Sequence, residues 1–145
     1  MPYKTKFFPE NVSKYIGDFN KIICRSLWER RFCKYLDENR NVIRWCSEEI
    51  IIPYYSPVDK KMHRYYPDFY VEMKNKSDGV QTLIIEIKPK KQTKIPTKGR
   101  KRKNTYLREC MTYEVNKAKW KHADAYCKKR GWEFKILTEK DLYGT

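Results

Sequence analysis

No two cysteines stand at the C-x₂-C spacing of a zinc knuckle, and the five present, Cys24, Cys33, Cys46, Cys110 and Cys127, form an odd set that fits no regular disulfide framework. They read as reduced, partly buried thiols. Long apolar runs are missing as well. No aliphatic stretch is longer than Ile50-Ile51-Ile52, and the opening residues MPYKTKFFPENVSKYIGDF hold no hydrophobic core of signal-peptide length. A soluble protein of the cytoplasm, with no membrane partner, is the expectation. No internal repeat is visible, and 145 residues with an apolar fraction of 40% can supply one modest core, so residues 1–145 read as a single domain. Acid is scarce: 18 Asp and Glu face 33 Lys and Arg, a net charge of +15. Such a balance favours a polyanion through phosphate neutralisation, with nucleic acid the first candidate. An acidic protein or a membrane surface would answer the same charge.

The stretch from Arg64 to Lys90, RYYPDFYVEMKNKSDGVQTLIIEIKPK, holds the most chemistry. Tyr65 to Val71 is rich in aromatic and β-branched residues and reads as a strand; the cluster Asn75-Lys76-Ser77-Asp78-Gly79 reads as its reversal. Along the returning strand side chains alternate, so Glu86 and Lys88 share a face with Ile84 while Leu83, Ile85 and Ile87 point the other way. Pairing symmetric about Ser77 sets Asp68 across from Glu86. Two carboxylates opposed on one sheet face repel unless something positive lies between them. A hard divalent cation, Mg²⁺ or Mn²⁺, is the natural occupant, with Lys88 placed to meet charge on a phosphate. The pattern is that of a phosphodiester-cleavage site. A solvated hairpin with a surface salt bridge is the bland alternative, which the proline before Asp68, the turn position and the basic surroundings disfavour.

In chain order, residues 1–24 mix aromatics, prolines and cations without periodicity and read as an arm packed on the domain or on a partner. From Arg25 to Asn39 the period is helical, with Trp28, Phe32, Tyr35 and Leu36 as the stripe and Ser26 as N-cap. Glu29 leans toward that stripe. Two roles suit it equally: the back-reaching Glu of a capping box Ser26-x-x-Glu29, or a third acidic metal ligand beside Asp68 and Glu86. Val42–Trp45 and Glu48–Tyr55 read as strands, the second ending or lying at an edge near Pro53. Residues 56–63 read as a polar loop, with His63 more plausible as a solvated residue than as a base. Residues 87–103 contain no acid, and Pro89, Pro96 and Gly99 oppose regular structure, so about 89–104 is expected to form a basic flap. The expected DNA-contacting set is Arg25, Lys90, Lys91, Lys94, Lys98, Arg100, Lys101, Arg102, Lys103 and Lys119. Residues 106–130 read as a long helix whose apolar face carries Leu107, Met111, Val115, Ala118, His122, Ala125 and Tyr126, with His122 a packing residue, Lys119 on the outer face and Gly131 as terminator. Residues 132–137 read as a closing strand. This order predicts an α/β domain with a mixed central sheet flanked by helices.

The ordered set Arg25-Ser26-x-x-Glu29, Pro67-Asp68-Phe69, Glu86-Ile87-Lys88-Pro89 and Trp132-Glu133-Phe134-x-Ile136-Leu137-Thr138-Glu139 resembles the PD-(D/E)XK nuclease superfamily, in the branch that is similar to the transposon end-cleaving endonucleases. Asn11-Val12-Ser13-Lys14-Tyr15, Trp45-x-Ser47-Glu48, Ile52-Pro53-Tyr54 and Val115-Asn116-x-x-Lys119-Trp120-Lys121 resemble, more narrowly, the head completion nucleases of T4-like tailed phages. That resemblance implies a restriction-endonuclease-like fold and a metal-dependent DNA endonuclease, with Glu29, Asp68 and Glu86 at the metal and Lys88 as catalytic lysine. It also implies action on packaged double-stranded DNA beside viral head or portal-region proteins, in the host cell cytoplasm, with retention in the virion left open. A basic plug that grips DNA on a nuclease-like scaffold without cutting it is the rival from another class.

Overall fold

The computed structural model describes residues 3–77 and 79–143; Asp78 of the expected reversal lies outside them. The strands and helices are β1 (Thr5–Lys6), β2 (Ile23–Cys24), α1 (Leu27–Glu38), β3 (Val42–Ser47), β4 (Ile52–Tyr55), β5 (Met62–Tyr65), β6 (Phe69–Lys74), β7 (Val80–Ile87), α2 (Lys103–Arg130), β8 (Glu133–Leu137) and α3 (Glu139–Tyr143). Strands β3, β6, β7 and β8 form a sheet in that order, antiparallel except for the parallel pair β7 and β8, which α2 connects. This is the mixed sheet with flanking helices that the sequence predicts. Phe69 pairs with Ile85 and Tyr70 with Ile84, the register symmetric about Ser77. Both strands are fixed by alternation, because a slip of one residue would turn Ile84 and Glu86 to the wrong side.

Each face of the sheet buries its own apolar layer. Leu83, Ile85, Ile87, Phe69 and Val71 pack on Phe32, Cys33 and Leu36 of α1, while Ile84 packs with Ala123 and Cys127 of α2 and with Ile52, Tyr54 and Tyr65 of the β4–β5 ladder. Helix α1 starts where Ser26 caps it, its hydroxyl accepting the Glu29 N–H at 3.1 Å. The buried stripe is Phe32, Cys33, Leu36 and Asp37, so Glu29 sits in its centre, whereas Tyr35, expected inside, is exposed. At about 100° per residue Tyr35 falls well round the helix from the Phe32–Cys33–Leu36 sector.

Several expectations are corrected. The run Tyr65–Val71 is not one strand: β5 ends at Tyr65 in a small ladder with β4, and β6 begins at Phe69 in the main sheet. Pro67, which fixes its own φ and offers no N–H, separates them. His63 lies on β5, exposed, with its Nε2 2.6 Å from Asp59. The second predicted strand starts at Ile52, not Glu48. On α2 the buried stripe is Asn116, Ala123 and Cys127, while Leu107, Met111 and Ala125 are exposed. Small side chains let this helix approach Ile84 closely, which turns it by about one residue from the face that bulky apolar residues mark. His122 is the packing residue expected, its Nδ1 2.8 Å from the Ala118 carbonyl and its ring against Tyr54. Gly131 terminates α2 at φ +70°, a left-handed conformation that suits glycine.

The first 24 residues supply core side chains. Phe7, Tyr15, Ile22 and Cys24 are buried, the first two against Trp45. Buried Asp37 accepts the backbone N–H groups of Glu10 and Asn11, and the Lys14 ammonium donates to the carbonyls of Leu36, Asp37 and Asn39 at the end of α1. Among the described residues no helix is long and apolar enough to cross a membrane, and the five cysteines are free thiols.

Candidate active site

The antiparallel pairings bring the end of β3, the start of β6 and the end of β7 to one edge of the sheet, and α1 sets its first turn beside them. Asp68 arrives directly after Pro67. Its N–H donates to Glu86 Oε1 at 3.3 Å, and the Ile87 N–H donates to Asp68 Oδ2 at 2.8 Å. Backbone groups thus hold the two carboxylates in place and leave an oxygen of each free of a backbone partner. Lys88, on the same side of β7 as Glu86, lies with Nζ 3.9 Å from Glu86 Oε2. Its own N–H is tied to the Leu137 carbonyl at 2.9 Å, so β8 fixes the strand end that presents both groups.

Glu29 has both anticipated features. Its carboxylate accepts from the Arg25 N–H at 3.3 Å and lies 3.5 Å from the Ser26 hydroxyl, a capping interaction that reaches one residue further back than the usual box. At the same time one oxygen each of Glu29, Glu48 and Asp68 lie within 4.8 Å of one another, a spacing able to hold a metal ion. Glu48 is the member that sequence reasoning missed. It follows the last residue of β3, takes φ +55°, and donates its N–H to the Asp68 carbonyl at 3.1 Å; its side chain meets Arg25 at 3.1 Å. A non-glycine residue held left-handed is strained, and such strain concentrates at functional positions. The neighbourhood of Glu48 and Asp68 depends on β3 pairing with β6, which no local pattern announces. Glu86 stands behind this trio, buried and joined to it through Asp68.

The electrostatics are those of crowded anions. Burial, then repulsion from Asp68, pushes the Glu29 carboxyl up to about 7; burial and Glu86 raise Asp68 well above the usual carboxylate range. Burial also raises Glu86, with Lys88 opposing. All available donors are carboxylate oxygens, a set that suits a hard cation rather than zinc or copper, and a cation is what would relieve the repulsion. Tyr65 borders the site, its buried hydroxyl beside Glu86 but outside hydrogen-bonding geometry.

The expected DNA-contacting cations lie on several elements. Arg25 is exposed at the mouth, on Glu48. Lys90, Lys91, Lys94, Lys98, Arg100, Arg102 and Lys103 follow Lys88, through a single 3₁₀ turn at Lys90–Thr93, to the start of α2. Lys101 is engaged, donating to Glu109 at 2.6 Å and to the Thr97 carbonyl. Lys119 does not lie on the outer face of α2. It is half-buried over the rings of Tyr54 and Tyr65, its pKa lowered by burial and raised in part by Glu86 and Asp68. Its spacing, four residues after Val115 and three before His122, carried that signal.

Sequence comparison bears on the same residues. The chain is 43% identical to the head completion nuclease of Enterobacteria phage T4 over 98% of this chain and 95% of that protein. No solved structure matches. Residues 39–139 match the family described as TnsA-like endonuclease N terminal, a span holding Glu48, Asp68, Glu86 and Lys88 but not Glu29. With that match over most of its length and with this mixed sheet beneath it, the chain belongs to the TnsA-like N-terminal endonuclease family.

Proposed function

We propose that this chain is an endonuclease that hydrolyses phosphodiester bonds of double-stranded DNA with Mg²⁺ or Mn²⁺, as one nuclease domain over residues 1–145 whose basic flap, about 89–104, grips the DNA backbone. Glu29, Asp68 and Glu86 would hold the cation, with Glu48 as a further oxygen donor and Lys88 as the catalytic lysine. The observation that carries this reading is the convergence of four carboxylates and one lysine where three strand ends meet, with two carboxylates held by backbone N–H groups. When bound, the cation supplies Lewis acidity at the phosphate and lowers the pKa of an attacking water. The chain's own groups do the rest. Lys88 stabilises negative charge on the phosphate, and Ile87 and Asp68 N–H groups keep the acids from swinging away. Arg25, beside Glu48 at the mouth, meets the incoming backbone.

The T4 relative's name supports a role in head completion; action after DNA packaging, beside head or portal-region proteins, in the host cell cytoplasm and with retention in the virion, belongs to the proposal alone. Supercoiled plasmid incubated with the purified protein tests the chemistry. Nicking should require Mg²⁺ or Mn²⁺, and Asp68→Asn or Glu86→Gln should each lower it by roughly a hundredfold or more while metal-free DNA binding holds within about threefold. A wild-type protein that binds plasmid and never nicks it would establish the rival plug.

A further inference from the structure

A cavity of about 590 Å³ opens between the basic loop and the first half of α2, and the catalytic reading leaves it unused. Its walls carry Lys91, Lys94 and Arg108 as cations beside the Lys101–Glu109 ion pair, Ile95 and Tyr113 as apolar surface, with Lys117 over the Tyr113 ring at 5.5 Å, and Asn116. Asn116 is only 5% exposed as a residue, and among the described residues its side-chain amide makes no hydrogen bond within the chain. Its amide is not one of the sealed, partnerless polar atoms, which belong to Trp45, Tyr65 and Trp120, so it is reached from the cavity it lines and can bond what enters. Ile95 is 75% exposed beside it.

Two of the cavity's walls run on, within a few residues, to groups of the candidate active site. Asn116 is one helical turn before Lys119, whose charge is coupled to Glu86 and Asp68, and Lys91 is three residues beyond Lys88. The ligand considered for the cavity is therefore a nucleotide of the same DNA strand whose phosphate meets the acidic cluster. The volume falls in the range of about 300–1,000 Å³ typical of small-ligand clefts. Aromatic and apolar walls suit the face of a base, flanking cations suit phosphates, and an amide offers a donor and an acceptor side by side to a base edge. A base inside intact duplex is stacked and paired and cannot enter.

We propose that this cavity is a subsite for one unpaired nucleotide of the DNA substrate, its base lying against Tyr113 and Ile95 with its edge on Asn116, and its phosphates held by Lys91, Lys94 and Arg108. The proposal rests on the nuclease reading for its ligand class. It makes DNA with frayed ends, flaps or gaps the favoured substrate over intact duplex.

Anisotropy titrations in EDTA test it, so that binding is read without cleavage. One probe is a fully paired duplex; the other is the same duplex carrying a one-nucleotide flap of 2-aminopurine. Wild-type protein should bind the flap form about tenfold more tightly, as stacking of a single base allows, and should quench the 2-aminopurine emission. Asn116→Leu and Tyr113→Ala should bring the two affinities within about twofold of each other, with duplex binding unchanged. Tyr113 is only partly buried, so its variant answers the question even if Asn116→Leu fails to fold. Equal wild-type affinities overturn the proposal, as does a preference that survives both substitutions. Displacement of both probes equally by a Glu-rich peptide, abolished by either substitution, would assign the cavity to an acidic protein and overturn it too. Because no cation is present, a chain that never nicks plasmid can still show the preference. Conversely, nicking without preference refutes only the subsite.

Discussion

Replacing Glu29 by Gln separates the needs of the fold from those of catalysis. Burial, and after it crowding by Asp68, lifts the Glu29 carboxyl from 4.5 to about 7. The folded protein therefore holds a proton that the unfolded chain releases near 4.5. Stability from this source is complete below that value and is lost as pH rises through about 7. At about 1.36 kcal/mol per pKa unit the full shift corresponds to about 3 kcal/mol, and solvent screening of a half-buried group reduces it to about 1–2 kcal/mol. Asp68 and Glu86 shift in the same direction and add to the slope. Gln is neutral at every pH and can still accept from the Arg25 N–H. Without cation, Glu29→Gln should thus be more stable than wild type at pH 8, by about 3–6 °C in Tm, and the difference should vanish near pH 5. Mg²⁺ should raise the wild-type Tm at pH 8 and raise the variant's far less, while nicking collapses. Thermal melts at pH 5, 6, 7 and 8 in EDTA and in Mg²⁺, with parallel plasmid assays, measure all of this. A variant less stable than wild type at pH 8 without cation, or a difference that ignores pH, would refute the crowding argument and leave Glu29 as a cap alone.

Other substitutions probe separate parts of the molecule. Glu48→Gln should raise the Mg²⁺ concentration for half-maximal nicking about tenfold, read from a cation titration; an unmoved midpoint removes Glu48 from the site. Asp37→Ala strands the N–H groups of Glu10 and Asn11 and should cost about 2–4 kcal/mol in urea unfolding with or without Mg²⁺. Neutralising Lys98, Arg100, Arg102 and Lys103 together should reduce the salt slope of DNA binding by about 0.9 per lost phosphate contact, and an unchanged slope would show that these groups do not touch DNA.

The hairpin of β6 and β7 was legible down to its register because alternating apolar residues and a central turn cluster fix it locally. Ser26 and Gly131, as helix signals, were equally plain. Asp68, Glu86 and Lys88 came together on that local logic. Glu48 did not, since its place depends on β3 meeting β6 some 20 residues away and on a left-handed backbone that its residue type does not advertise. The break at Pro67 was written in the sequence, in a residue that fixes its own φ and offers no N–H, but the aromatic run around it masked the signal; the rotation of α2 was hidden because helical periodicity marks bulky residues more strongly than Ala123 or Cys127. Lys119 shows the cost of sorting by charge first, for its spacing matched the inward face throughout.

The parallel pair of β7 and β8 has a consequence for how the protein comes into being. Glu86 and Lys88 lie on a strand whose hairpin partner is already made when they leave the ribosome, but their other neighbours, Ile136 and Leu137, follow about 50 residues later, beyond all of α2. Until then β7 is an open edge, and the Lys88 N–H has no Leu137 carbonyl to hold it. The candidate active site is thus among the last features to mature during translation, and any truncation that removes β8 should yield a sticky, inactive fragment rather than a smaller nuclease.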